Sequence, residues 1–334
     1  MVTIYDVAKR AGVSPATVSR VFSGQARVTA DRVQAVREAA EELGFVPNSN
    51  ARRLRTSSSE IIAMMVPDIA NPFFTLMTRA VEDVARRAGY SVMLCNTDED
   101  PAREQEYLRV ATSEPVAGII IAPSSASNLD LALDRNVPVV CVDRHAPHDD
   151  VDAVVVDNVD SSAAATRLLY EAGYERLACI TGPETIETSN QRLAGWSQAV
   201  TEHTGSEPDP SLILRAQYVS DEGGERAAQN LLSLPHPPDA IFAANNRLAT
   251  GALRALYLLD LLPPAIGLVS FGGPPQILFP PPGLLVTYLP ARDIGTTAAN
   301  MLLERINGLD IPPRSITLPV SMTQPGAVPE NDKP

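Results

Sequence analysis

The chain is poor in the residues that would mark it as a membrane, disulfide-bonded or metal protein. No run of about 18 apolar residues occurs, so a membrane-spanning helix is not expected. The amino terminus lacks the charged-then-apolar order of an export signal, and the expected location is cytoplasmic. Cysteine appears three times, at Cys95, Cys141 and Cys179, each inside an apolar run and far from the others. Buried reduced thiols are the expectation, and no cofactor is called for. Four histidines (His145, His148, His203 and His236) share no ligand spacing, so no metal site is expected. There is no G-x-G-x-x-G fingerprint, no P-loop and no G-x-S-x-G elbow, so no catalytic residue is assigned and an enzyme is not expected. Internal repeats and low-complexity tracts are absent.

What is present is divided unevenly. The 334 residues carry a net charge of −13, which by itself argues against a polyanionic partner. Yet residues 1–59 hold nine Lys/Arg against five Asp/Glu, a net +4, which leaves −17 for the remaining 275. A basic head on an acidic body fits a chain in which one module touches nucleic acid and the rest is kept off it.

The head reads as helical throughout. Thr3 with Asp6 resembles a capping box, and Val7, Ala8 and Ala11 give an apolar face that stops at Gly12. Ser14 before Pro15 repeats the start signal, followed by the stripe Val18, Val21, Phe22 and a stop at Gly24. A third helix is expected from Thr29, with Val33, Val36, Ala40 and Leu43 inward and Gly44 as its cap. From Ile61 onward short apolar runs alternate with amphipathic stretches. Strands are expected at Ile61–Val66, Ser91–Cys95, Gly118–Ala122, Val137–Val142, Ala153–Val156, Leu177–Thr181, Ala240–Ala243 and Gly267–Ser270. Helices are expected at Leu76–Ala88, Ser161–Ala172, Leu193–Thr204, Glu225–Leu234 and Leu248–Leu259. Such alternation implies parallel sheets covered by helices, and about 260 residues suffice for two lobes.

The opening Val2-Thr3-Ile4-Tyr5-Asp6-Val7-Ala8-Lys9-Arg10-Ala11-Gly12-Val13-Ser14-Pro15-Ala16-Thr17-Val18-Ser19-Arg20-Val21 resembles the headpiece of the lac repressor (LacI) family of transcriptional regulators. The likeness continues in Gly44-Phe45-Val46-Pro47-Asn48, in Ala51-Arg52-Arg53-Leu54, in Pro67-Asp68-Ile69-Ala70-Asn71-Pro72-Phe73-Phe74 and in Arg192-Leu193-Ala194-Gly195-Trp196. It implies an all-α helix-turn-helix headpiece plus an α/β two-lobed periplasmic-binding-protein-like effector domain. The domains expected are a headpiece at 1–47, a hinge helix and linker at 48–59, an effector and dimerisation domain at 60–322, and a flexible tail at 323–334. Lobe one would take about 60–157 and 289–318, and lobe two 158–288 with the return 319–322. The implied function is that of a repressor binding double-stranded operator DNA as a homodimer, switched by a small sugar-like effector. A solute-binding protein shares the two-lobed fold but would lack the basic head.

The resemblance also implies roles for individual residues. Residues opening a recognition helix face base edges in the major groove, here Pro15, Ala16 and Thr17, with Arg20 one turn on and able to pair with a guanine. Ser14, Thr17, Ser19 and the backbone near Asn48 are expected on the phosphates, and Thr3 and Tyr5 are expected among the DNA-binding residues. A hinge of about eight residues is too short to be helical alone and should order on DNA. Leu54 would then wedge into the minor groove, with Asn50, Arg53 and Arg55 near phosphates. The cleft between lobes would take ligand on Asn71, Phe73, Phe74, Asp143, Arg192, Tyr218, Asn245 and Phe271, with Arg192 a lone buried cation in need of a partner. The sequence departs from the family pattern at Gly272, where an acid is usual, at Asn246 of Asn245-Asn246, at Leu289-Pro290 and at Pro280-Pro281-Pro282. The cleft is therefore expected to be short of carboxylates, which leaves a purine-like or anionic ligand, or a degenerate pocket, as the alternative to a sugar.

Overall fold

The computed structural model describes residues 2–22, 28–45, 59–113, 116–124, 128–146, 151–218, 221–273, 281 and 283–323. The chain divides into two compact units, Met1–Ser59 and Glu60–Pro334.

In the first unit, helix α1 spans Ile4–Ala11, α2 Pro15–Phe22 and α3 Ala30–Leu43. The Thr3 amide and hydroxyl both donate to the Asp6 carboxylate, at 2.8 and 2.7 Å, and this box fixes the start of α1. Gly12 and Gly44 end α1 and α3 in the left-handed conformation. The Ser14 hydroxyl accepts from the Thr17 amide at 3.2 Å and starts α2. Val7, Ala8, Val18, Val36, Ala39 and Ala40 form the core, with Phe22 and Phe45 against it. Val33, expected inward, is only half-buried, while Ala39 is buried in the core. The helix stop expected at Gly24 lies outside the described residues.

The second unit holds two six-stranded sheets. The first is built from β1 (Ile61–Val66), β2 (Ser91–Asn96), β3 (Gly118–Ile121), β4 (Val139–Val142), β5 (Asp152–Val156) and β11 (Ser315–Leu318), in the order β11-β5-β4-β3-β1-β2, all parallel. The second contains β6 (Leu177–Thr181), β7 (Ile213–Arg215), β8 (Ala240–Ala243), β9 (Gly267–Phe271), β10 (Leu284–Tyr288) and β12 (Ser321–Thr323), in the order β12-β10-β9-β8-β6-β7. Here β12 alone runs antiparallel. Helices cover both faces. Against sheet one lie α4 (Pro72–Arg87) and α11 (Ala291–Ile306) on one side and α5 (Pro101–Ser113) with α6 (Asp130–Leu133) on the other. Against sheet two lie α7 (Asn158–Glu171) with α8 (Glu187–Thr204), and α9 (Asp221–Leu232) with α10 (Asn246–Leu258). β1 shows why continuous apolar runs form central strands, since Ile62, Met64 and Val66 serve one face and Ala63 and Met65 the other.

The chain passes between sheets after β5, after β10 and after β11, so each lobe is completed by a distant segment. One buried carboxylate secures such a return. Asp152 accepts from Arg305 at 2.9 and 2.8 Å and from the Arg314 amide at 2.7 Å. Burial alone would raise its pKa, but these bonds and the two guanidinium charges bring it below the ordinary carboxylate value. Thr323, placed in the tail on sequence grounds, is the last residue of β12 and pairs with Val286, because β10 offers it an open sheet edge. The remainder of that tail lies outside the described residues.

Candidate functional site

Two regions collect the residues singled out above. In the headpiece, α2 is anchored by Val18 at 0% exposure, which sets its opposite face outward. Ser14, Ala16 and Arg20 are exposed, and Pro15, Thr17 and Ser19 are half-exposed. The hydroxyls of Ser14 and Thr17 lie 2.9 Å apart and hold each other at the helix start. Thr3 and Tyr5 are also exposed, Tyr5 at 70%. An aromatic that open to water on an otherwise well-capped helix is apolar surface left for contact. Asn48, Asn50, Arg53, Leu54 and Arg55 lie outside the described residues.

In the second unit, the carboxyl ends of the strands converge on a narrow cleft between the lobes, with a cavity of about 50 Å³. All eight residues expected there line it. Lobe one supplies Asn71, Phe73 and Phe74 from the start of α4 and Asp143 from the end of β4. Lobe two supplies Arg192 from α8, Tyr218 after β7, Asn245 as the N-cap of α10 and Phe271 closing β9. The segment Arg192-Leu193-Ala194-Gly195-Trp196 is thereby divided in labour. Arg192 faces the cleft, Trp196 is in the core at 0% exposure, and Gly195 lets α8 approach α7 where a Cβ would collide with the Val159 carbonyl. Tyr218 lies across Gly182, where a Cβ would strike its ring, so burial against its own lobe raises its pKa.

Arg192 is not a lone cation. Its Nε donates to the Asn158 side-chain oxygen and its Nη1 to the Ala244 carbonyl, both at 2.8 Å. Nη2 lies 3.9 Å from Asp143, and the guanidinium sits 4.4 Å from the centre of the Phe271 ring. A second arginine, Arg144, was not foreseen. It is clasped by Glu99 through two bonds of 3.0 and 2.9 Å and touches Asp143 at 3.3 Å. Burial would by itself loosen its proton, but the Glu99 and Asp143 charges hold it more firmly than usual. Nor is the cleft short of carboxylates, since Asp68, Glu99 and Asp143 all line it. Arg144 was within reach of sequence reasoning, being the next residue after Asp143. Glu99 was not, because it is delivered by consecutive left-handed residues, Asp98 at φ 54° and Glu99 at φ 57°, for which no local pattern is diagnostic.

Several polar contacts cross between lobes. Asn71 and Asn246 exchange two hydrogen bonds. Glu187, heading α8, accepts from the His145 amide at 2.7 Å and lies 3.2 Å from its Nδ1, while Nε2 lies 3.0 Å from Ser315. The bond to Glu187 raises the His145 pKa. Burial raises and the His145 contacts lower that of Glu187, with a net lowering. The cysteines are free and buried, and burial pushes the Cys141 thiol up to about 12. Among the described residues no group of three His, Cys, Asp or Glu is placed to hold a metal, and no helix is long and apolar enough to cross a membrane.

Residues 3–48 match the family described as bacterial regulatory proteins, lacI family, and residues 59–325 match periplasmic binding proteins and the sugar binding domain of the LacI family. The chain belongs to the LacI family of bacterial regulatory proteins. It is a transcriptional regulator with a DNA-binding domain and an effector-binding domain. It is 34% identical to the ribose operon repressor of Halalkalibacterium halodurans, across 92% of this chain and 91% of that one. Identity to the repressor CytR of Escherichia coli K12 is 31%, across 92% and 90%. Among solved structures, the lac repressor dimer bound to operator and the anti-inducer ONPF matches with a TM-score of 0.84 at 25% identity, covering 97% of this chain and 98% of that one. The regulator CelR in complex with cellobiose matches with a TM-score of 0.71 at 26% identity, covering 97% and 99%.

Proposed function

We propose that this regulator is a cytoplasmic repressor that binds a palindromic double-stranded operator as a homodimer and responds to a small hydroxylated, sugar-like effector. It acts by binding, not catalysis. The observation that carries the DNA reading is the outward face of α2, where Ala16 and Arg20 are exposed on a helix fixed by Val18. A helix so presented fits the major groove, with Pro15, Ala16 and Thr17 at base edges and Arg20 opposite a guanine. Thr3, Tyr5, Ser14 and Ser19 then face the backbone. Two such helices a helical turn apart need a two-fold pair of chains, in line with the operator-bound dimer of the related lac repressor. Between them the hinge segment, with Asn48, Asn50, Arg53 and Arg55, folds on the DNA and Leu54 enters the minor groove.

The effector reading is supported by the cleft's chemistry. Phe73 and Phe271 offer apolar faces, and Asp143, Arg192 and Asn245 offer polar groups at the strand ends. Each arginine lining the cleft already faces a carboxylate, Arg144 against Glu99 and Arg192 beside Asp143, and Asp68 adds a third acid. An anion would have to displace one of those carboxylates, whereas a neutral hydroxylated ligand adds hydrogen bonds to both kinds of group. The names of the relatives point the same way, to a ribose operon and to bound cellobiose. Asn71, Phe74 and Tyr218 shape the wall.

The test is binding to a palindrome selected from random DNA, read by fluorescence anisotropy. Arg20→Ala should weaken binding by about 10- to 100-fold, the equivalent of roughly 1–3 kcal/mol, with relaxed preference at one position per half-site. Unchanged affinity and preference would refute the docking. Thermal-shift screening of neutral sugars against sugar phosphates and nucleobases tests the cleft, and stabilisation by phosphates alone would refute the neutral ligand.

A further inference from the structure

We infer that the two lobes are held shut by the chain itself, through a reciprocal amide latch between Asn71 of lobe one and Asn246 of lobe two. The Asn246 side-chain nitrogen donates to the Asn71 oxygen at 2.8 Å, and the Asn71 nitrogen donates back to the Asn246 oxygen at 3.1 Å. Asn71 is 7% exposed and Asn246 4%, so both bonds are shielded from water. The partners are 175 residues apart and come from opposite sheets, so the pair exists only while the lobes are closed. Both amides are neutral, and closing on them avoids the desolvation cost of an ion pair.

Each asparagine is held ready by its own helix. The Asn71 oxygen also accepts from the Phe73 amide at 3.1 Å, as the N-cap of α4. Asn245 caps α10 by accepting from the Leu248 amide at 2.8 Å, and this orients Asn246, the first helical residue. The Asn246 nitrogen reaches the Gly273 carbonyl as well, at 3.3 Å. Gly272, one residue earlier, turns the chain that presents this carbonyl. That residue has φ 94°, a conformation other residues avoid, and a Cβ there would lie 3.6 Å from the Asn246 Cβ and 3.8 Å from Leu289. Asn246 and Gly272, two of the departures from the family pattern, thus serve one contact. Asn71 and Asn246 are closure elements here, and a ligand enters only when the pair is broken, with its apparent affinity reduced by the fraction of open molecules.

The test needs no ligand, so its failure and a failure of the proposed effector are distinguishable. Thr188 lines the cleft at 1% exposure, and the native cysteines are buried. In full-length T188C the new thiol reports opening through its rate of reaction with dithiobis(nitrobenzoate). Asn71→Ser keeps a capping oxygen but is too short to cross. Adding Asn71→Ser or Asn246→Ala should speed the reaction at least tenfold, and adding both should speed it no more than the faster of the two. Rates within twofold of T188C, factors that multiply in the combined variant, or native cysteines that react in step would each overturn the latch. Should T188C lose its cooperative melt, hydrogen exchange of segments 66–75 and 244–249 in the asparagine variants alone makes the same distinction: faster exchange to one shared level supports the latch, and unchanged exchange overturns it.

Discussion

The headpiece and the two-lobed body differ in how far apart in the chain their stabilising partners lie. Six buried side chains between Val7 and Ala40 make the headpiece core, and its helix ends are settled by neighbours three residues away, such as Thr3 with Asp6. In the body, β11 pairs with β5 across more than 150 residues, Ser315 opposite Ala153, and its cleft is walled from both sheets. Their charges are opposed too, +4 against −17. A unit organised by local signals is legible but shallow, because so few residues bury little apolar area. A unit organised across the chain is sturdier and hides its contacts from local reading.

The largest expected effect separates the two. Arg305→Ala removes the bidentate partner of a carboxylate whose side chain is 1% exposed but leaves it the Arg314 amide, and should lower the body's stability by about 2–3 kcal/mol in urea unfolding while headpiece signals in the NMR spectrum persist. Because the Asp152 pKa is lowered on folding, its stabilisation is present above the ordinary carboxylate value and lost as pH falls through the folded one. The unfolding midpoint of the variant should therefore depend less steeply on pH in that acid range. Concurrent loss of headpiece signals would contradict independent units. Next in size, Val18→Ala should cost about 2 kcal/mol, enough to unfold much of a unit this small, so operator binding falls while the body's melting temperature stays put. The smallest effect concerns His145, which is 45% exposed at its side chain. Its raised pKa means that the link to Glu187 is fully present below about 6.5, the ordinary histidine value, and weakens as pH rises through the folded one. His145→Gln should flatten a slight loss of body stability as pH rises above about 6.5.

Helix starts show where local reading stops. α4, α7, α8, α9 and α10 all begin two to six residues before the apolar stripe that betrayed them, at Pro72, Asn158, Glu187, Asp221 and Asn246. Their first turns are largely polar or face the cleft, so the stripe begins late, although Asn71, Asp157 and Asn245 each cap as such residues do. β7, β11 and β12 were missed as strands because they are short and at sheet edges, where partners rather than pattern make the strand, and the interior β10 was missed as well. The helix α11 was missed among alanines and threonines; Gly295 in it would bring a Cβ into the Met77 carbonyl of α4, so small residues there reflect a close helix contact, not weak structure.

By itself the sequence determined the headpiece, the alternation that makes two parallel sheets, and the residues that follow each central strand into the cleft, because capping and alternation act over a few residues. Only the tertiary structure decided what those cleft residues do to one another. Arg192 is shared among Asn158, Ala244 and Phe271, Arg144 is taken up by Glu99, and Asn71 spends its amide on Asn246. Each of these contacts joins elements far apart in the chain, so its geometry exists only after both sheets have formed and met.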